Sequence, residues 1–420
     1  MPARTPVLRN PLGSRFLLLW SSVTAAGLGD GIALTAMPLL AGQLTGDPRD
    51  VSLVFLAEQL PWLLIGPVSG VVADRLDRRR VLWITDSLRA VVAGMFAVVV
   101  LAGQASIPLL GGVALMLGAG QVMYVGAWGG MVPALVEPGA RTRANAVLQA
   151  TAQVTANLLG SPLGAVLFTT ALAAPFVAQA MCIACAAFFV AALPGSFRAQ
   201  AADPKPRASF RQEVTEGIHW LWRQRTLRLL SAASGAYNLV ITGLITVLAL
   251  YAKAILGLGS VGYGLVMAAF AVGGLAGAAV TPRLSGRMGP GRVLTLAMTG
   301  QAVAVAAAGT VSSGVAFGCF IAGYGAASLA WNVVAVSLRQ SLVPDHLFGR
   351  VNMAYQMVNA GMSALGAVTS GLIAHLLGLR APFLVGAALL LAVTAWTARR
   401  MRARLPAADH TPASLQPASR

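Results

Sequence analysis

The sequence predicts an all-α membrane protein: twelve transmembrane helices in two six-helix, pseudo-symmetric halves, with both termini in the cytoplasm. Three observations predict it. The 420 residues are 57% hydrophobic and only 10% charged, with a mean hydropathy of +0.74, whereas a soluble domain carries about 25% charged residues. The apolar residues fall in runs of about 20, the length that crosses a bilayer core. The basic residues are segregated. With the N-terminus placed inside, only Arg49, Lys253 and Arg380 of the thirty Lys and Arg fall on the outer side. The other twenty-seven fall in inner loops, termini or inner helix ends, which sets the orientation by the positive-inside rule. The same distribution disposes of nucleic acid as a partner. A net charge of +17 points there at first, but a nucleic-acid binder gathers its charge on one soluble face.

The twelve runs lie at about 16–41, 51–73, 81–103, 107–132, 145–170, 174–193, 227–251, 261–282, 292–312, 314–338, 352–377 and 381–398. The first is too long for a signal-peptide core and lacks a small-residue cleavage site, so it reads as a span. At an offset of 207 residues Gly70 matches Gly277, Asn145 matches Asn352, Gln149 matches Gln356, Gly164 matches Gly371, and Pro175-Phe176 matches Pro382-Phe383. One residue out of register, Gly27 and Asp30 match Gly235 and Asn238. A register shared by several different spans implies parallel repeats about an axis along the membrane normal. The halves are then 1–194 and 227–400. A cytoplasmic linker, 195–226, joins them. Within it, residues 209–225 place Val214, Ile218, Leu221 and Trp222 at helical spacing, which reads as an amphipathic helix on the inner membrane surface or as a plain linker. The tail 401–420 has no periodicity and is expected to be disordered.

Nearly all of the thirteen acidic residues belong to loops, but Asp30 and Glu58 fall inside spans. A carboxylate inside the membrane is costly and marks a functional site by default. Each lies about fifteen residues, roughly 22 Å, from the cytoplasmic end of its span, so the two sit at similar depth on neighbouring helices. They are candidates to share a proton or hold a cation, the plainer alternative being a helix–helix hydrogen bond. Asp86 and Arg89, three residues apart, share a helix face and are expected to pair, docking the third span on the basic loop before it. Cys182 and Cys185 form a CxxC, but with no His or acid nearby they read as small apolar residues, with redox chemistry the alternative. The four histidines are scattered, so no metal site is expected. No Walker sequence is present, which excludes ATP hydrolysis of the P-loop kind. No cofactor and no enzymatic activity are expected.

The loop Gly70-Val71-Val72-Ala73-Asp74-Arg75-Leu76-Asp77-Arg78-Arg79 resembles the loop between helices 2 and 3 of the major facilitator superfamily. Gly160-Ser161-Pro162-Leu163-Gly164 combines small residues that permit close packing with a bending Pro. It resembles the fifth-helix motif of drug:proton antiporters, with Ser161 where a Gly precedes Pro. Three further stretches resemble the macrolide-efflux and siderophore-exporter branch, the transmembrane secretion effectors. They are Leu28-Gly29-Asp30, Pro133-Ala134-Leu135-Val136 with Arg141, Arg143 and Asn145, and Arg339 to Asp345 with Gly349-Arg350-Val351-Asn352.

The resemblance implies a multi-pass plasma-membrane transporter that exports a small amphipathic or hydrophobic molecule by alternating access and proton antiport. Its partners would be that substrate, protons and the lipid bilayer, and a monomer is expected. It also implies a conformational latch of Asp74, Arg75, Arg78 and Arg79, with Gly70 allowing close approach. Three departures stand out. Asp77 replaces the usual Gly, the second-half copy from Gly277 to Arg287 has no acid, and the fourth span has no arginine. The cavity between the halves is expected to be lined by Asp30, Glu58, Gln121, Tyr124, Gln149, Gln153, Asn238, Trp331, Asn332 and Gln356, a set suited to a bulky, mostly apolar ligand. The alternatives are an importer of a sugar or other metabolite, which calls for a more polar lining, and a non-transporting scaffold or receptor, which has no need of intramembrane acids.

Overall fold

Residues 13–66, 69, 76–128, 130–195, 197 and 210–402 are described by a computed structural model. Of the expected latch, Gly70, Asp74 and Arg75 lie outside the described residues, as does the tail from 403 onward. Every regular element among the described residues is helical. The first four long helices are α1 (Gly13–Leu44), α2 (Pro48–Leu64), α3 (Arg78–Leu101) and α4 (Ile107–Trp128). The fifth, α5, comprises three consecutive stretches, α-helical Arg141–Gln153, π-helical Val154–Gly160 and α-helical Ser161–Thr170. After it come α6 (Ala174–Ala191) and the short α7 (Phe210–Arg223). The rest are α8 (Arg225–Ala254), α9 (Ser260–Met288), α10 (Pro290–Thr310), α11 (Gly314–Leu342), α12 (Asp345–Leu377) and α13 (Ala381–Arg402).

Ten of these are long and apolar enough to cross a membrane: α1, α3, α4, α6 and α8 to α13. Of the other two long segments, α2 has 17 residues and α5 is interrupted by its π-helical stretch. Local chemistry sets the ends. The Asp47 side chain accepts from the Arg49 N–H at 2.9 Å and Pro48 opens α2. Asp77 does the same for α3, accepting from the Arg79 N–H at 3.0 Å. Each N-cap satisfies a donor that the first helical turn leaves open. Gly378, with φ of 87°, closes α12 in a conformation that a side chain would strain.

The first six long helices pack in a definite pattern: α1 on α5 and α6, α2 on α4, and α3 on α4 and α6. The last six repeat it, with α8 on α12 and α13, α9 on α11, and α10 on α11 and α13. The two sets meet where α2 lies against α12 and α5 against α9. The apolar cluster around Phe55 and Phe96 there takes in Leu250 and Ala367 from the second set. Outward-facing side chains are apolar: Phe188 is 70% and Leu376 67% exposed. Surfaces of that kind belong against lipid.

The linker helix α7 lies on α12. Its Leu221 is buried beside Leu227, Val293 and Tyr355, and Glu216 pairs with Arg350 at the head of α12. Ile218 and Trp222 are exposed.

Candidate functional site

In α5, Pro162 has no N–H to donate to residue 158, so the helical ladder is broken there. The π-helical stretch lies immediately before it. This stretch seats directly on α1. A Cβ on Gly31 would fall 2.0 Å from the Ala156 carbonyl oxygen, and one on Gly164 2.5 Å from that of Ile32. The buried hydroxyls of Thr35 and Ser161 join the same two helices at 2.5 Å. Gly160, Pro162 and Gly164 thus set how closely α5 approaches the segment of α1 that carries Asp30.

Asp30 faces a buried ion cluster. The Arg89 guanidinium donates to Asp86 Oδ1 at 3.2 Å and to Asp30 Oδ1. Arg89 is 4% exposed, Asp86 fully buried, and Asp30 27% exposed. The Asp86–Arg89 pair forms as the spacing predicts, and Arg89 also reaches across to Asp30 on α1, a partner the sequence reading did not give it. In a low-dielectric interior a guanidinium gains most from a second carboxylate it can reach. Gly120 in α4 makes room, since a Cβ there would fall 2.5 Å from Arg89 Cγ.

Asp30 and Arg89 open onto a cavity of about 200 Å³ that Glu58, Gln121 and Gln179 also line. Phe55, Trp62, Met37 and Leu117 supply its apolar walls. Gln121 and Gln179 add amide side chains to the lining, and their buried oxygens have no hydrogen-bond partner among the described residues. Asp30, Glu58 and Gln121 are thus brought together. Tyr124 is buried instead in the apolar cluster with Leu19, Val23 and Leu82.

The other expected lining residues do not line this cavity, which is built from the first set alone. Gln149 and Gln153 are exposed on α5, and Gln153 accepts from Asn157 at 2.8 Å. Asn332 and Gln356 are exposed on α11 and α12. Asn238 donates to the Ser234 carbonyl at 2.9 Å, within its own helix. Trp331 is buried and stacks on Tyr237 at 6.2 Å between ring centroids. Tyr237 stacks in turn on Tyr324 at 6.3 Å, and Phe270 leans on Tyr324 at 6.0 Å.

Of the latch, the described residues Arg78 and Arg79 bind carbonyls within the first set: Arg78 that of Gly130 at 2.9 Å, and Arg79 those of Gly195 at 3.2 Å and Ala191. At the other end of the molecule a contact joins the two sets. His375 Nδ1 in α12 lies 3.3 Å from Asp47 Oδ1. The hydrogen bond from the Arg49 side chain holds the Asp47 carboxyl down at about 2.

Sequence reasoning missed Gln179, the Tyr237–Tyr324–Phe270 stack, and Arg89 as the partner of Asp30. The last was within reach, because an intramembrane acid needs a cation and no arginine lies in the fourth span.

A family model for transmembrane secretion effectors matches residues 8–419. The uncharacterized MFS-type transporter YfiS of Bacillus subtilis is 27% identical over 92% of this chain and 93% of its own length. The multidrug efflux pump Tap of Mycolicibacterium fortuitum is 29% identical over 90% and 93%. Among solved structures, the nucleoside transporter NupG superposes with a TM-score of 0.73 at 14% identity, covering 93% of this chain and all of that one. A bacterial homologue of the iron transporter ferroportin, inward-facing, gives 0.71 at 19% identity over 91% and 97%. With ten helices among the described residues long and apolar enough to cross a membrane, and this family match, the chain is a multi-pass cell-membrane transporter belonging to the transmembrane secretion effector family of the major facilitator superfamily.

Proposed function

We propose that the protein is a proton-coupled exporter of small amphipathic molecules. One observation carries the reading: two carboxylates, Asp30 and Asp86, contact a single guanidinium, Arg89, and a third carboxyl, Glu58, lines the cavity onto which Asp30 and Arg89 open. One cation cannot balance three anions away from water. The cluster therefore has room for a proton or a cationic substrate, and Asp30 and Glu58 are the members in contact with the cavity. The apolar walls and the aromatic stack in the second set suit an amphipathic ligand. The efflux relative at 29% identity supports the outward direction.

The proposed topology has twelve spans, with α2 and α5 completing the ten, and both termini inside. Cysteine labelling tests it in a background lacking Cys182, Cys185 and Cys319. Positions 78–80 and 200–208 should label only from the cytoplasm, and positions 46–50 from outside.

The function is tested with a fluorescent lipophilic dye in everted membrane vesicles. Acidifying the vesicle lumen should drive dye uptake, and collapsing the gradient should stop it. Gradient-driven uptake in right-side-out vesicles only would instead establish an importer.

A further inference from the structure

We propose that the pocket where α7, α8, α12 and α13 meet is a binding site for the phosphate of an anionic phospholipid. The pocket has a volume of about 660 Å³, and its lining includes Arg225, Arg228, Arg400, Ser231, Trp222 and Trp396. It is separate from the Asp30 cavity and shares no residue with it.

Four features point to this ligand. The lining holds three guanidiniums and no acid, and none of the three has a carboxylate partner among the described residues. Such a group draws an anion and gives it multiple N–H donors. Ser231 lines the pocket and is 5% exposed, and its hydroxyl has no hydrogen-bond partner among the described residues. A buried hydroxyl of that kind is costly unless a ligand satisfies it, and a phosphate oxygen does so.

Trp222 and Trp396 are exposed at 58% and 40%. Tryptophan in that setting belongs at the level of the lipid headgroups. Arg400 lies over the Trp396 ring, 4.6 Å from its centroid, which holds the guanidinium at the pocket mouth. Finally, the pocket also has apolar wall from Leu221, Leu229 and Val358, enough to seat the first part of an acyl chain. A soluble anion makes no use of that wall, so the lipid is the source the site favours. Basic pockets between helices at a membrane face hold anionic headgroups in this way.

The site also has a mechanical meaning. A lipid there touches the linker helix and three spans of the second set, so its binding fastens α7 to that set.

The experiment uses the full-length protein purified in a neutral detergent. Its thermal unfolding is followed while phosphatidylglycerol, phosphatidylcholine or inorganic phosphate is titrated in. Phosphatidylglycerol should raise the midpoint saturably, and neither phosphatidylcholine nor inorganic phosphate should match it. Removing an arginine weakens headgroup attraction by about fivefold, so Arg228→Gln with Arg400→Gln should weaken the phosphatidylglycerol response by well over tenfold. Ser231→Ala should weaken it less, while leaving lipid-free stability equal or higher.

Equal stabilisation by the two lipids, or an undiminished response in the double variant, overturns the proposal. A full response to inorganic phosphate overturns the lipid as its source. If the double variant does not fold, Arg225→Gln and Ser231→Ala, tested singly by native mass spectrometry of the bound lipid, decide the same question. The side of the membrane does not enter this test, so it stands or falls apart from the proposed export topology.

Discussion

The two sets of helices share a packing pattern but not a chemistry. In the first, the centre holds Asp30, Asp86 and Arg89 in direct contact, with Glu58 on the same cavity. In the second, it holds the stack of Trp331, Tyr237 and Tyr324 with Phe270 beside it. The residue matching Asp30 is Asn238, which spends its amide on its own helix. A repeat therefore fixes how helices pack without fixing what they carry. In this account the first set binds the coupling ion and the second supplies the apolar face for the substrate. A proton that distinguishes two states must bind one of them better, and an ion cluster confined to one set provides that asymmetry.

The largest effect should come from removing Arg89, the cation of the buried ion cluster. Arg89→Leu leaves Asp86 buried without a partner, which costs about 3–5 kcal/mol. Thermal unfolding in detergent should show a large drop, and Arg89→Leu combined with Asp86→Asn should recover much of it. A single variant as stable as wild type would mean that the cluster contributes nothing to the first set.

A smaller loss is expected at the α1–α5 contact. Gly31→Ala drives a methyl into the Ala156 carbonyl, and overpacking of this kind costs about 1–3 kcal/mol. The loss should be read in both thermal stability and transport rate, because the contact lies one residue from Asp30.

In the second set, Trp331→Leu removes one stacked pair, worth about 0.5–1.5 kcal/mol. It should weaken dye binding severalfold while the pH dependence of transport stays put. A shifted pH profile in this variant would erase the division of labour between the sets.

The smallest effect is expected at the seam. Asp47→Asn removes the charge that meets His375 and weakens the cap on α2. The Asp47 carboxyl is held at about 2, against an unfolded value near 4. Its contribution is therefore complete above about pH 4 and fades only as pH falls toward 2. Between pH 5 and 8 the seam should depend on the identity of residue 47 and not on its titration. At a fixed pH, cross-linking between cysteines placed at the neighbouring positions 46 and 379 should be lower in Asp47→Asn than with Asp47 present.

Much of the fold was legible because the bilayer imposes it. Long apolar runs and segregated arginines are visible in one dimension, and so is the matching of Pro175-Phe176 with Pro382-Phe383. The acids Asp30 and Glu58 were legible as a site because their cost inside a membrane is independent of context. Their partners were not. Arg89 reads locally as the i+3 mate of Asp86, and only the three-dimensional reach of its side chain to α1 shows the second carboxylate. Gln121 and Gln179 come from different helices, and no spacing rule links them. The polar residues Gln149, Gln153, Asn332 and Gln356 do not line the Asp30 cavity, and polarity alone does not say which surface of a helix meets which cavity. The π-helical stretch at 154–160 rotates the face of α5, which a uniform helical period cannot anticipate.

The central claim is that Asp30 couples transport to protons while its counterpart Asn238 does not. It is tested in everted vesicles carrying Asp30→Asn, with uphill dye accumulation under an imposed pH gradient compared with downhill exchange at equal pH. The account predicts that uphill accumulation is lost and downhill exchange is kept, and that Asn238→Ala retains both. Uphill accumulation at the wild-type level in Asp30→Asn would contradict it and would move the coupling site to Glu58.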